Sequence, residues 1–332
     1  MATEGGATGG PPKIHAAPAT GSVPAVPAGP GGPTTGGAAA GGAEPPAPAV
    51  RRPPPHPPRR RLPLPTIGWY TLLSVLALVV LFPIYMLVIR ALSAPLAYVY
   101  AGQPLHPVSP EWDVFSRAWN QADLARAMGL SAVVTLVIVA AQLLTSVLAA
   151  YAFAFLEFPL KKLMFALVVA TLLLPIEVTL IANVRTIRDL GWLNSVQGLS
   201  FPFLATAFGI FLIRQGFMGI PRELRDAATL DGYGHLRFLF RVAMPLAKPV
   251  IGSFLVIAFL GAWNQYVWPR NATDASRWQT VQIALRTLTT DRIDQLNISF
   301  AAAIIAAVPL VALLIFFQRQ MVRGLTAGAV KG

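Results

Sequence analysis

Gly219-Ile-Pro-Arg-Glu-Leu-Arg-Asp-Ala-Ala-Thr-Leu-Asp-Gly-Tyr-Gly-His-Leu-Arg-Phe-Leu-Phe-Arg-Val-Ala-Met-Pro245 is a polar island between two long apolar runs. Pro221 suits the first turn of a helix, where its missing N–H costs nothing. Glu223 then sits near that helix N-terminus, where the dipole favours an anion. Ala227 and Ala228 carry almost no side chain, so another surface can approach closely. Gly232 and Gly234 interrupt the helix and permit a sharp bend. A second short helix, about His235 to Val242, is expected to run until Met244-Pro245 stops it. The expected object is an L of two short helices lying on a membrane face.

The rest of the chain supplies the membrane. Of its 332 residues, 55% are hydrophobic and only 12% charged, and the mean hydropathy is +0.59. A soluble domain carries about 25% charged residues, so the composition points to an integral membrane protein. With no cysteine, disulfides, thiol catalysis and Cys-ligated metal sites are excluded. The four histidines are scattered, and no pair has the spacing of metal ligands. The net charge of +12 does not indicate nucleic acid, because the basic residues flank apolar spans and no groove-binding motif accompanies them.

Residues 1–64 are rich in Pro, Gly and Ala and lack apolar periodicity, so a disordered tail is expected there. Residues 65–332 form the second region, with a core at about 126–320. The expected spans run about Ile67 to Leu92, Arg126 to Leu156, Leu163 to Asn183, Leu199 to Met218, Val250 to Trp268 and Ile298 to Phe317. Pro83 is expected to kink the first. The segments before Leu124 and from Pro269 to Asn297 read as polar connections, and Arg185 to Gln197 as a short amphipathic one. An even number of spans puts both termini on one side. Most of the 26 basic residues fall on that side together with the quoted stretch, so both termini are expected in the cytoplasm.

The quoted stretch resembles the EAA loop of permease subunits in binding-protein-dependent ABC importers. The family pattern is Glu-Ala-Ala, three residues, Gly, then a hydrophobic-x-hydrophobic-Pro nine residues on. Here it reads Asp226-Ala227-Ala228, Thr229-Leu230-Asp231, Gly232, then Val242-Ala243-Met244-Pro245. Asp226 replaces Glu, and Val-Ala-Met-Pro replaces the usual Ile-x-Leu-Pro. The tail Val322-Arg-Gly-Leu-Thr-Ala-Gly-Ala-Val-Lys-Gly332 is similar to the C-terminal signature of the maltose-type, second-permease branch of carbohydrate importers. Within that branch, Leu174-Pro-Ile-Glu-Val178, Phe211-Leu-Ile-Arg-Gln215 and Trp263-Asn-Gln-Tyr-Val-Trp-Pro269 look most like glycerol-3-phosphate importer permeases. Ala182 departs from the pattern, since many relatives carry proline there.

The resemblance implies an all-α, six-span membrane protein of the type I ABC importer fold in the bacterial inner membrane. It implies that Glu223, Leu224, Arg225, Asp226, Ala227, Ala228, Asp231 and Gly232 couple the chain to an ATPase. It also implies a partner ATPase dimer, a second homologous permease and an extracytoplasmic substrate-binding protein. ATP and Mg would sit on the ATPase and no cofactor on this chain. The sequence itself has no GxxxxGK[ST] loop and no constellation of a hydrolase, so no catalytic residue is assigned. The implied cargo is a sugar or glycerol phosphate. An ion-coupled secondary transporter and a non-transport membrane scaffold are the rival readings.

Candidate residues for the translocation path follow from the residues alone. Glu177 is the one acidic residue deep in an apolar run, so it either lines a pathway or serves as a structural carboxylate near the span end. Trp263, Asn264, Gln265 and Tyr266 combine rings that stack on sugar faces with amides that bond hydroxyls; an interfacial aromatic belt is the competing reading. Gln142, Thr145 and Ser146 share one helical sector and read as interhelical packing.

Overall fold

The long apolar runs become long helices in the computed structural model, which describes residues 64–121, 123–288 and 293–327. The N-terminal tail and the last residues of the C-terminal signature lie outside these. Among the described residues, three helices are long and apolar enough to cross a bilayer unaided: α1 (Leu64–Leu92), α4 (Leu124–Phe155) and α15 (Leu296–Ala327). At 1.5 Å per residue they reach about 44–48 Å, beyond the roughly 30 Å hydrocarbon core. Pro83 and Pro309 lie inside α1 and α15 without interrupting either. The kink expected at Pro83 thus does not end the helix; one missing N–H removes one bond from an otherwise continuous ladder.

The other three spans are bent pairs, and here the expected boundaries shift. The helix α5 (Lys161–Ala170) with its following turn meets α6 (Ile176–Asp189) at 98°, the break falling at Leu174-Pro175. The residue before a proline is pushed out of the helical region, and Leu174 is extended at φ −85°, ψ 118°. The short α7 (Val196–Ser200), prolonged by a turn through Phe203, meets α8 (Ala207–Met218) at 50°. The helical run His235–Leu246 meets α12 (Lys248–Trp263) at 82°. With each bent pair taken as one span, the count reaches six.

Two polar connections hold more structure than expected. Between α1 and α4 lie α2 (Pro95–Tyr100) and the amphipathic α3 (Val114–Gln121), whose Val114 and Ala118 are buried. Asn297 Nδ2 donates to Glu111 Oε2 at 2.9 Å, and Glu111 also pairs with Arg117, which fixes this connection to the start of α15. After α12 come α13 (Val267–Ala272) and α14 (Val281–Leu288). Val281, Ile283 and Ala284 are buried, and the Val281 N–H donates to Ser131 Oγ of α4 at 2.8 Å.

Two apolar clusters hold the helices together. One joins the start of α4 to α3, α14 and α15, with Ala301 and Ala302 fully buried where α15 faces α12. Small residues permit that close approach, as is usual between helices in lipid. The other joins the end of α4 to α8, α12 and the loop between them. Its aromatic heart is Tyr151, Phe155, Phe217 and Phe238, with Phe155 5.8 Å from Phe217 and 5.4 Å from Phe238 between ring centroids. The outer surface of α1 stays apolar and exposed, as a lipid-facing helix requires.

Candidate functional site

The loop between α8 and α12 forms the expected L. Its first limb is α9 (Arg222–Leu230), with Pro221 just ahead of the helix and Glu223 in the first turn. The limb ends in a motif made by Gly232 at φ +74°. The Tyr233 N–H reaches back to the Ala228 carbonyl at 2.8 Å, and the Gly232 N–H to the Thr229 carbonyl at 3.0 Å. This pair of bonds caps the helix and turns the chain, and only glycine enters that left-handed region freely. The second limb is α10 (His235–Phe238), continued by a wider i→i+5 turn over Leu239–Ala243 and by α11 (Met244–Leu246). Pro245 therefore does not stop this limb; the helical run passes through it and bends at Ala247, and the wide turn relieves the bond that Pro245 cannot give.

At 100° per residue, α9 has an inner and an outer face. Ala228 is buried on the inner face, and Arg225 lies beside it with its guanidinium 5.8 Å from the Phe155 ring. The small side chain of Ala228 thus lets α9 approach its own chain. Glu223, Asp226 and Ala227 face outward and are exposed, with Leu224 and Asp231 on the flanks. None of the ion pairs among the described residues involves Glu223, Asp226 or Asp231. Leu230, which sequence reasoning passed over, shares this face and is 90% exposed. The i, i+4, i+7 spacing of Glu223, Ala227 and Leu230 was the signal that could have found it.

A cavity of about 400 Å³ lies farther along α4, away from the loop. Gln142 and Ile138 of α4, Leu180 and Asn183 of α6, Phe203 and Thr206 at the α7–α8 break, and Gln265 and Tyr266 after α12 all contribute to its wall. Among the described residues, no lysine, arginine, aspartate or glutamate lines it. Gln265 Oε1 is buried and has no hydrogen-bond partner among the described residues, so the wall presents an unmet acceptor. Gln142 Nε2 donates to the Phe203 carbonyl at 2.9 Å, and the Thr145 hydroxyl proton is shared between the Ala141 carbonyl of its own helix at 2.8 Å and the Leu204 carbonyl at 3.1 Å. These two side chains satisfy backbone carbonyls at the bend between α7 and α8, a more specific task than packing.

The four residues proposed at the end of α12 divide. Gln265 and Tyr266 reach the cavity. Trp263 faces the other way: it is 3% exposed, stacks on Phe259 and donates from Nε1 to the Ala306 carbonyl of α15 at 3.2 Å. Asn264 is exposed and accepts from Gln282 Nε2 at 3.2 Å. The reason is the chain break after Trp263: Tyr266 sits at φ −121°, ψ −53°, which rotates the following residues away from the α12 register. Glu177 is in the first turn of α6, and its side chain lies outside the described residues.

Comparison with known proteins gives this geometry a family. Residues 142–327 match the family described as binding-protein-dependent transport system inner membrane component. The chain is 33% identical over 273 residues to the sn-glycerol-3-phosphate transport system permease protein UgpE of Rhizobium meliloti (strain 1021), covering 79% of this chain and 96% of that protein. The UgpE protein of Yersinia enterocolitica is 33% identical over 264 residues, covering 77% and 94%. In fold, the chain is similar to the crystal structure of a bacterial ABC transporter involved in the import of the acidic polysaccharide alginate. The TM-score is 0.68 at 22% sequence identity, over 76% of this chain and 95% of that one. The chain is a multi-pass permease and belongs to the family of inner membrane components of binding-protein-dependent transport systems.

Proposed function

We propose that this chain is one of two permease subunits of an ATP-driven importer whose ATPase docks on the outer face of α9. Its cargo is a sugar or glycerol phosphate, with sn-glycerol-3-phosphate first among candidates because the UgpE relatives carry that name. Both termini and the loop face the cytoplasm, where the charge distribution favours them. ATP and Mg are held by the ATPase, and a binding protein delivers cargo on the other side. Closure of the ATPase dimer moves the docked L, and the spans rock between inward and outward access.

The observation that carries the docking role is the outer face of α9. Glu223 and Asp226 are exposed there with no ion pair among the described residues, beside an almost fully exposed Leu230. Unpaired carboxylates around an apolar contact suit a partner surface of Arg or Lys with an apolar groove. An ion-coupled mechanism has less support, since the described residues of the cavity wall include no carboxylate or basic side chain.

The test is purification from native membranes in mild detergent, with the co-purifying chains identified, from wild type and from the Glu223→Lys/Asp226→Lys variant. Wild type is expected to bring down an ATPase and a second permease. The variant is expected to reach the membrane and lose ATPase retention by on the order of a hundredfold, because like charges then face one another. Unchanged retention would remove the docking role. Uptake of sn-glycerol-3-phosphate by proteoliposomes of the wild-type assembly tests the cargo.

A further inference from the structure

We propose that α4 is the rod that carries displacement of the loop to the cavity, gripped by Tyr151 and Phe155 at one end and by Gln142 and Thr145 at the other. This rests on the docking role proposed for α9. The chain itself offers two other routes out of the L, and both are compliant. On the α8 side the helix ends at Met218, and Gly219-Ile220-Pro221 is not helical. On the α12 side stand the wide turn at Leu239–Ala243 and the 82° bend at Ala247. Bends of this kind absorb motion rather than pass it on. By contrast α4 is unbroken for 32 residues.

The grip at the loop end takes both limbs of the L. The Tyr151 hydroxyl and His235 Nδ1 of α10 are hydrogen-bonded at 3.1 Å. Tyr151 and Phe155 also pack on Phe238, with centroids 6.4 and 5.4 Å away. Arg225 of α9 lies over the face of Phe155. A cation held over a ring adds attraction beyond packing. About 14 Å farther along the helix, Gln142 donates to the Phe203 carbonyl and the Thr145 hydroxyl, shared with the Ala141 carbonyl of its own helix, reaches the Leu204 carbonyl, both at the 50° bend between α7 and α8. Gln142 and Phe203 both line the cavity. A shift of α4 therefore pulls directly on a bend in the cavity wall, and such a bend is an element that can hold two arrangements.

The absence of cysteine provides the assay. With Tyr266→Cys as reporter, the rate of thiol labelling on this chain is measured in the reconstituted assembly, with and without ATP plus vanadate. This readout needs no knowledge of the cargo. Nucleotide is expected to change the labelling rate in the reporter alone. The Tyr151→Phe/Phe155→Leu pair keeps both side chains apolar and removes the hydroxyl and the ring beneath Arg225. It is expected to shrink the nucleotide-driven change about fivefold, within the range of allosteric coupling, with ATP hydrolysis and subunit retention unchanged. Thr145→Val in a Gln142→Leu background is expected to do the same, and Thr145→Ser alone to leave the response intact.

A full nucleotide response in both paired variants would overturn the proposal. So would a proportional loss of hydrolysis and response, which marks a merely structural role. The Glu223→Lys/Asp226→Lys variant separates the two levels. If it leaves the response intact, the docking role itself falls. If it abolishes the response while the α4 variants do not, the docking role stands and the rod is wrong.

Discussion

The loop and the cavity wall use polar residues in opposite ways. On α9 the carboxylates of Glu223 and Asp226 are exposed and unpaired among the described residues, which costs little where water or a partner can solvate them. At the cavity the polar groups of the described residues include amides, a hydroxyl and a phenol, with no carboxylate or basic group among them. A charge in a low-dielectric wall carries a desolvation cost of several kcal/mol, and a neutral amide far less. The contrast fits the proposed roles, docking of another protein on the loop and passage of a solute along the wall. For a cargo that carries a phosphate, the basic residues nearest in sequence to the described wall are Arg185, two residues after Asn183, and Arg270, two after Trp268, and both are exposed.

Glycines sharpen the same contrast and give the largest expected effect. A Cβ on Gly209 of α8 would stand 2.3 Å from Ser146 Oγ and 2.6 Å from the Phe254 ring. A Cβ on Gly232 would meet nothing within 4 Å, and only its φ of +74° would resist. Gly209→Ala is expected to destabilise the protein by about 1–3 kcal/mol through overpacking, lowering the Tm in detergent by roughly 5 °C. Gly232→Ala is expected to cost about 1 kcal/mol of local strain at most, and to show itself in the cavity response to nucleotide. A larger Tm loss at Gly232 than at Gly209 would break the contrast.

What could be read ahead of the structure follows the range of the interactions. The three unbroken spans, the L of the loop and its glycine hinge rest on signals within a few residues: apolar runs, Pro221, Glu223 and Gly232. The bends at Leu174-Pro175 and Ala247 also lie next to prolines, yet Pro83 and Pro309 sit in continuous helices. Proline alone does not decide a bend; partners for the freed carbonyls and neighbours for the turned chain do. At Phe203 and Leu204 those partners are Gln142 and Thr145, some sixty residues earlier. The cavity draws on four separate stretches of chain, and no local pattern brings them together. The amphipathic α3 and α14 are short, and their polar faces masked the buried ones.

Trp263 supplies the next effect. Its indole bonds α12 to α15 through the Ala306 carbonyl and lies outside the cavity wall. Trp263→Phe keeps the stack on Phe259 and removes that bond. The expected result is a loss of about 1 kcal/mol in thermal or denaturant stability, with the order of preference among cargoes unchanged. A shift of cargo preference at unchanged stability would show that the path extends to this side of α12, and that neutral polarity alone does not mark the wall.

The smallest effect belongs to Glu223, and it separates the helix from its partner. Glu223 stands in the first turn of α9, near the unsatisfied N–H groups of the helix start. Glu223→Gln removes that interaction, which is worth about 0.5 kcal/mol at an exposed site and fades with salt. If the carboxylate serves only its own helix, the variant loses that little stability at low salt and ATPase retention stays as in wild type. If it also meets a basic group of the ATPase, retention falls at low salt and the difference between variant and wild type closes as salt rises, because screening acts on an exposed pair within about 8–10 Å. Retention measured at two ionic strengths decides between them. A loss that salt does not touch would mean that a buried hydrogen bond, rather than an exposed charge, joins α9 to its partner, and the outer face would then have to be read as an apolar contact centred on Leu230.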